Sequence, residues 1–376
     1  MIPADILVPP HVLALTPYEP GLSAEEVRAR FGLTRVVKLA SNENPLGSSP
    51  VAIEYAHRAL SGMFRYPDGG LALRRRLAER FHLKPENVIA GAGSEGIMAN
   101  IVRTFLCDDD EVLTTDAAFS GFQVLARGRG VAYRTVPYSD WRYDLRALAD
   151  ATSARTKLIY LANPNNPTGT FFTREAFEEF HRRVPERVLI ILDEAYFEFA
   201  MGEPSYPDSM HYRFDNVITL RTFSKAYGLA GIRVGYGFAH ENLIAMLLKV
   251  KLPFEPSGIA SAAALGALED SEFLRQSIDN NEQGLAFITR AFRDLGFQVV
   301  PSAANFVMLV FDSGNQAQDI FEQLLQRGVI VRPLKATGLP HCLRVSIGTK
   351  EENEMCVDAF RGLRTNMEVS PYATTC

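Results

Sequence analysis

Long basic runs, paired cysteines and long apolar runs are all missing from this 376-residue chain. Its 39 lysines and arginines are outnumbered by 44 aspartates and glutamates, giving a formal net charge of −5, and the isoelectric point is near 5.9. Such a balance lacks the electrostatic footprint of a nucleic-acid or anionic-membrane binder, although it says nothing against a basic pocket inside. Cys107, Cys342, Cys356 and Cys376 form neither a CxxC pair nor a Cys/His cluster. They offer no disulfide framework and no metal site, and read as thiols in a reducing compartment. No apolar run approaches the roughly 18 residues of a membrane-spanning helix. Met1–Leu15 contains Asp5 and three prolines, and no Lys or Arg precedes Arg28. That is not the pattern of a secretion signal, so a cytoplasmic setting is expected. Repeats and low-complexity tracts are also lacking.

What is present is an ordinary globular composition, 47% hydrophobic and 22% charged, in a chain too long for one small core. After an arm ending near Gly21, the pair Ser23 and Glu26 forms a capping box that opens a helix. From about Leu71 to Ala239, apolar β-rich pieces alternate with helical ones. The strand candidates are Asn87–Ala90, Glu111–Thr115, Val131–Pro137, Lys157–Leu161, Val188–Leu192, Val217–Leu220 and Arg233–Phe238. Several are apolar almost throughout, as strands buried on both faces must be, so a mostly parallel sheet covered by helices is expected. Helices are expected at Glu241–Val250, Ser257–Glu269 and Ser271–Leu295. The remainder suits a small α+β domain, closed by a helix near Lys350–Leu363. The expected division is residues 1–47 as an arm that joins the small domain, 48–270 as the large domain and 271–376 as the rest of the small one.

Gly91-Ala92-Gly93-Ser94-Glu95-Gly96 follows a strand candidate and opens a helix, and Asp116 closes the next strand. Read alone, this is a dinucleotide fingerprint and suggests an NAD(P)-dependent oxidoreductase. About 90 residues precede it, however, whereas such a fingerprint usually opens its domain. The general physics is only that glycines let backbone N–H groups approach an oxyanion at a helix N-terminus; a single phosphate fits as well.

Other strand ends carry more chemistry. Asn163-Pro164-Asn165-Asn166-Pro167-Thr168-Gly169, Asp193-Glu194-Ala195-Tyr196 and Ser224-Lys225 each follow a buried strand, and Arg233 lies eight residues beyond Lys225. Ligands gather at that edge of an open α/β sheet. A lysine amine, a carboxylate, amide and phenol groups, and a phosphate cradle are together what pyridoxal phosphate requires.

With Asn42-Glu43-Asn44-Pro45-Leu46-Gly47, Tyr66-Pro67-Asp68 and Leu343-Arg344-Val345-Ser346-Ile347-Gly348-Thr349, these segments resemble, in order, the fold-type I pyridoxal-phosphate aminotransferases. Within them the resemblance is to the histidinol-phosphate aminotransferase family, from Tyr18 to Thr349. It implies an α/β fold with a mainly parallel seven-stranded sheet and a smaller α+β domain, pyridoxal 5′-phosphate as cofactor, and a homodimer acting on a small-molecule amino donor and a 2-oxo acid.

By position, Lys225 would hold the cofactor covalently and move the substrate proton, and Asp193 would pair with the pyridine nitrogen. Asn166 and Tyr196 would bond the phenolic oxygen. Gly93, Ser94, Ser224 and Arg233 would hold the phosphate, with Tyr66 reaching in from the other subunit. Phe119 would stack on the ring, where the family often has tyrosine, while Phe122 reads as core. Arg344 and Arg332 would take substrate anions, with Tyr18 and Asn42 closing over them. On the same scaffold, an aromatic amino-acid aminotransferase is the competing expectation.

Overall fold

The computed structural model describes residues 4–16, 21–211 and 213–367. All seven strand candidates enter one sheet, as β1 (Val88–Gly91), β2 (Glu111–Thr115), β3 (Ala132–Val136), β4 (Thr156–Ala162), β5 (Leu189–Asp193), β6 (Val217–Thr222) and β7 (Gly235–Phe238), in the order β1-β7-β6-β5-β4-β2-β3. Every pairing is parallel except the two made by β7, which runs antiparallel between β1 and β6.

The reversal of β7 has a consequence for the carboxyl edge. Gly235 pairs with both Gly91 and Thr222, so β7 begins where β1 and β6 end. A side chain placed on Cβ of Gly235 would lie 2.4 Å from the backbone nitrogen of Ser94. Only glycine lets the start of β7 pass this close to the helix Gly93–Phe105.

The strands alternate their side chains between two apolar layers. Leu158, Tyr160, Ile191, Ile218 and Leu220 pack with Ile97 and Ile101 of the helix after β1. Ile159, Leu161, Ile190 and Leu192 face the opposite way, against Phe177 and Phe180. Elsewhere the helix Gly258–Glu269 lies so close to Pro50–Leu60 that a Cβ on Gly266 would meet the Val51 carbonyl at 2.8 Å; its alanine-rich face permits the approach.

A second, antiparallel sheet has the order β10-β11-β9-β8, from β8 (Gln298–Val300), β9 (Phe306–Val310), β10 (Arg332–Pro333) and β11 (Cys342–Ser346). Val307, Leu309, Leu343 and Val345 pack against Ile288 and Phe292 of the helix Ser271–Asp294 and Phe360 of the helix Lys350–Met367. The two-residue strands Val37–Lys38 and Val329–Ile330 pair in parallel, so the N-terminal segment lies beside the C-terminal third of the chain. Val331 separates Val329–Ile330 from Arg332–Pro333, two short strands that join different sheets. The arm contains short helices at Ala4–Leu7 and Pro10–Leu13. Among the described residues no helix is long and apolar enough to cross a membrane.

Candidate active site

The strand ends of the large sheet and the segment Ala40–Asn42 enclose a cavity of about 210 Å³. Asn42, Ser94, Phe119, Asn166, Asp193, Tyr196, Ser224, Lys225, Arg233, Arg332 and Arg344, all singled out from sequence, line it. Gly93 lies under Arg233: its φ is +76°, and a Cβ there would sit 2.7 Å from a guanidinium nitrogen. Tyr66 is not among the lining residues; it is 81% exposed and stacks on Phe254. Tyr18 lies outside the described residues. Phe122 is buried in the core, as expected.

Lys225 follows β6, and its Nζ donates to the Ser41 carbonyl at 3.3 Å. Burial, with Arg344 and Arg233 nearby, lowers its pKa to about 8. An amine at that value is roughly one-tenth neutral at pH 7, far more than an exposed lysine.

Asp193 ends β5 with both carboxylate oxygens engaged: Oδ2 accepts from the Tyr160 hydroxyl at 2.7 Å, Oδ1 from the Ala195 N–H at 3.2 Å. Burial raises its pKa to about 6 against the opposing pull of those bonds and of Lys225, so it is an anion at neutral pH.

Arg344 donates to Asn166 Oδ1 at 2.5 Å and to the Ala40 carbonyl at 2.8 Å. Because a guanidinium only donates, this contact fixes the Asn166 amide with its oxygen toward Arg344 and its NH₂ available to another acceptor. Asn42 donates from Nδ2 to the Tyr196 oxygen at 2.9 Å, leaving the phenol's own proton to donate elsewhere. Asn42 sits at φ 55° and is held by reciprocal bonds with Ser346, N–H to Oγ at 2.9 Å and Oγ to Oδ1 at 2.8 Å.

On the other flank, Arg233 approaches Ser224 Oγ at 3.4 Å and Glu95 at 3.7 Å, beside the start of the helix Gly93–Phe105. Ser41, Glu95, Ser120, Thr222, Leu334 and Thr337 also line the cavity without having been singled out from sequence. Of these only Thr222, two residues before Ser224 and bonded to it at 3.0 Å, carried a local signal.

Behind the strand end, Arg221 is fully buried between Glu194 at 2.8 Å and Asp208 at 3.0 Å, with its guanidinium 3.3 Å from the Phe197 ring centroid. Glu198 is buried nearby, its Oε2 without a hydrogen-bond partner, and burial pushes its pKa up to about 7. The unfolded value is near 4.5. Between those values the folded protein keeps a proton that the unfolded chain has lost, so stability falls as pH rises across that window. Glu198→Gln is expected to raise the melting temperature at about pH 8 and change it little at about pH 5; thermal melts of the two proteins at both pH values check this.

Among the described residues no group of His, Cys, Asp and Glu could hold a metal ion. The chain is an aminotransferase of class I and II: the family model of that description matches residues 34–360. The histidinol-phosphate aminotransferase of Anaeromyxobacter sp. (strain Fw109-5) is 43% identical over 358 residues, 94% of this chain and 98% of that protein. The corresponding protein of Geobacillus sp. (strain WCH70) is 40% identical, over 92% of this chain and 95% of its own length. Among solved structures, histidinol-phosphate aminotransferase from Sinorhizobium meliloti in complex with pyridoxal 5′-phosphate superposes with a TM-score of 0.86 at 30% identity, covering 94% of this chain and 97% of that one. The aspartate aminotransferase of Thermus thermophilus with maleate, at 24% identity and a TM-score of 0.81, shares the fold. The chain belongs to the histidinol-phosphate aminotransferase family. Membership displaces the oxidoreductase alternative for Gly91–Gly96; in the structure those glycines bring Arg233 and β7 close to the helix.

Proposed function

We propose that this protein is a pyridoxal-phosphate-dependent histidinol-phosphate:2-oxoglutarate aminotransferase of histidine biosynthesis, working as a cytoplasmic homodimer. One observation carries the reading: a buried lysine of lowered pKa shares a cavity with a buried carboxylate, a phenol and amide, and two separate arginine loci.

The residues fit the cofactor. Lys225 Nζ is the amine for its aldehyde, Asp193 the anion for its ring nitrogen, and Asn166 and Tyr196 the donors for its phenolic oxygen. Arg233, Ser224 and the backbone of Gly93 and Ser94 suit its phosphate, with Phe119 against the ring. When bound, pyridoxal phosphate supplies the electron-accepting ring that makes the Cα–H bond of an amino donor labile.

The protein's part is proton handling and orientation. Neutral Lys225 Nζ would take the proton from the donor's reacting carbon and return it two atoms along, at the cofactor's former aldehyde carbon. Asp193 keeps negative charge at the far side of the cavity, and Tyr196, fixed by Asn42, aims its hydroxyl inward.

Substrate anions fall to Arg332 and Arg344. They are direct cross-strand partners on β10 and β11, and like charges directly opposite each other repel. An anion between them would offset that repulsion, and a phosphate monoester carries enough charge for both. In the other half-reaction the same pair would take a carboxylate of glutamate. Arg332→Ala is therefore expected to lower kcat/KM about 10- to 100-fold for histidinol phosphate, the effect of one charge-assisted bond, and much less for phenylalanine; equal losses would remove Arg332 from phosphate recognition.

The homodimer rests on the surface. Phe64 and Tyr66 are 76% and 81% exposed, and Tyr66 stacks at 4.3 Å on Phe254, an apolar patch that a second copy would cover. Sedimentation is expected to give twice 41.7 kDa, and Tyr66→Phe to weaken cofactor binding about tenfold without changing that mass.

Absorbance titration of the protein with histidinol phosphate, glutamate and phenylalanine, one at a time without acceptor, tests the whole reading. Conversion of the bound-aldehyde band by histidinol phosphate at far lower concentration than by phenylalanine supports it. The reverse order would make the protein an aromatic aminotransferase.

A further inference from the structure

The strand β4 supplies a side chain that the sequence did not mark and that touches Asp193 from behind. Ala162 is the register partner of Asp193 and Tyr160 that of Ile191, so Tyr160 stands one pleat below Asp193 on the same face of the sheet. From there its hydroxyl reaches diagonally to Asp193 Oδ2 at 2.7 Å. The ring is fully buried and stacked on Phe122, centroids 4.3 Å apart and planes at 11°, so it has little freedom to swing away. The Ala195 N–H takes the other carboxylate oxygen. With one donor on each oxygen, the carboxylate is held at both ends before any ligand arrives.

We propose that Tyr160 is a positioning residue for Asp193, with Phe122 holding the tyrosine ring, and that its hydroxyl fixes both the direction and the ionised state of the carboxylate that faces the cofactor's ring nitrogen. This rests on the reading of the site as a pyridoxal-phosphate site. A hydrogen bond donated to a carboxylate favours the charged form, and here it opposes the burial that raises the Asp193 pKa. The other groups acting on Asp193 are Lys225, which favours its charge, Glu95, which opposes it, and the phenols Tyr143 and Tyr196. Of the three tyrosines only Tyr160 donates to it. Tyr143 accepts from the Ala162 N–H at 3.1 Å, and Tyr196 accepts from Asn42.

Tyr160→Phe deletes the hydroxyl while keeping the ring and its stack. Two readouts besides turnover follow, both on protein reconstituted with pyridoxal phosphate. The dissociation constant of the cofactor, measured against pH, is expected to be about tenfold higher at neutral pH, with its acid-side rise beginning about one pH unit higher. With cofactor labelled with ¹⁵N in the ring, the nitrogen resonance is expected to move from the protonated toward the unprotonated position. Phe122→Leu, which keeps the hydroxyl but loosens its ring, is expected to give a smaller change in the same direction.

If wild type binds cofactor and Tyr160→Phe leaves both the pH profile and the resonance in place, changing only the melting temperature, Tyr160 is merely a satisfied core tyrosine and the proposal falls alone. If wild type takes up no cofactor, the proposal falls together with the reading of the site.

Discussion

In Lys225→Ala, conversion of bound pyridoxal phosphate by an amino donor is expected to slow by at least about 10³-fold, within the range attributed to a positioned acid–base group. No neighbour can substitute. Arg344 and Arg233 carry guanidiniums, which only donate, Tyr196 has its pKa raised by burial, and Asp193 faces the opposite requirement of remaining an anion. Loss of the amine should cost little stability, because Nζ makes one long bond to the Ser41 carbonyl and its charged form is disfavoured by burial. The variant should therefore melt near the wild-type temperature and still take up cofactor non-covalently. Single-turnover absorbance and thermal melting on the same sample separate these effects, and near-normal turnover would overturn the assignment of the site.

Asp193→Asn should give the second largest loss, about 10² to 10³-fold in turnover, the scale on which removal of one preorganised electrostatic partner is felt. Its stability effect should have the opposite sign. The replacement is isosteric, its amide oxygen can still accept from Tyr160 although the Ala195 N–H loses its acceptor, and a neutral group replaces a carboxylate whose burial raises its pKa to about 6. The cofactor-free variant is expected to melt at or above the wild-type temperature at neutral pH. Turnover and melting that fall together would mean that Asp193 serves the fold rather than the ring nitrogen.

The sequence showed most of the large sheet because strands buried on both faces must be apolar throughout; Val188–Leu192 could hardly be anything else. It showed Lys225, Asp193 and Asn166 because polar groups ending such strands are out of place in a plain core. The antiparallel turn of β7 left no trace, since strand direction is set by tertiary packing and not by local pattern. The contact of Arg344 with Asn166 spans 178 residues and has no periodicity to betray it. Tyr160 escaped notice for the opposite reason: within Thr156–Ala162 an inward tyrosine looks like any other core aromatic until Asp193 is seen one pleat above it. The exposure of Tyr66 was equally hidden, because an aromatic beside a proline gives no sign of whether it faces inward or toward another copy.

The reciprocal bonds between Asn42 and Ser346 join residues 304 positions apart, and they bear on how the protein is made. While a ribosome has yet to reach β11, Asn42 has no Ser346 to hold it in its left-handed turn, and Arg344 is not there to orient Asn166. A nascent chain can thus complete the large sheet, Lys225 included, and still lack one wall of its cavity. The final geometry of the cavity thus depends on residues from the last tenth of the 376-residue sequence.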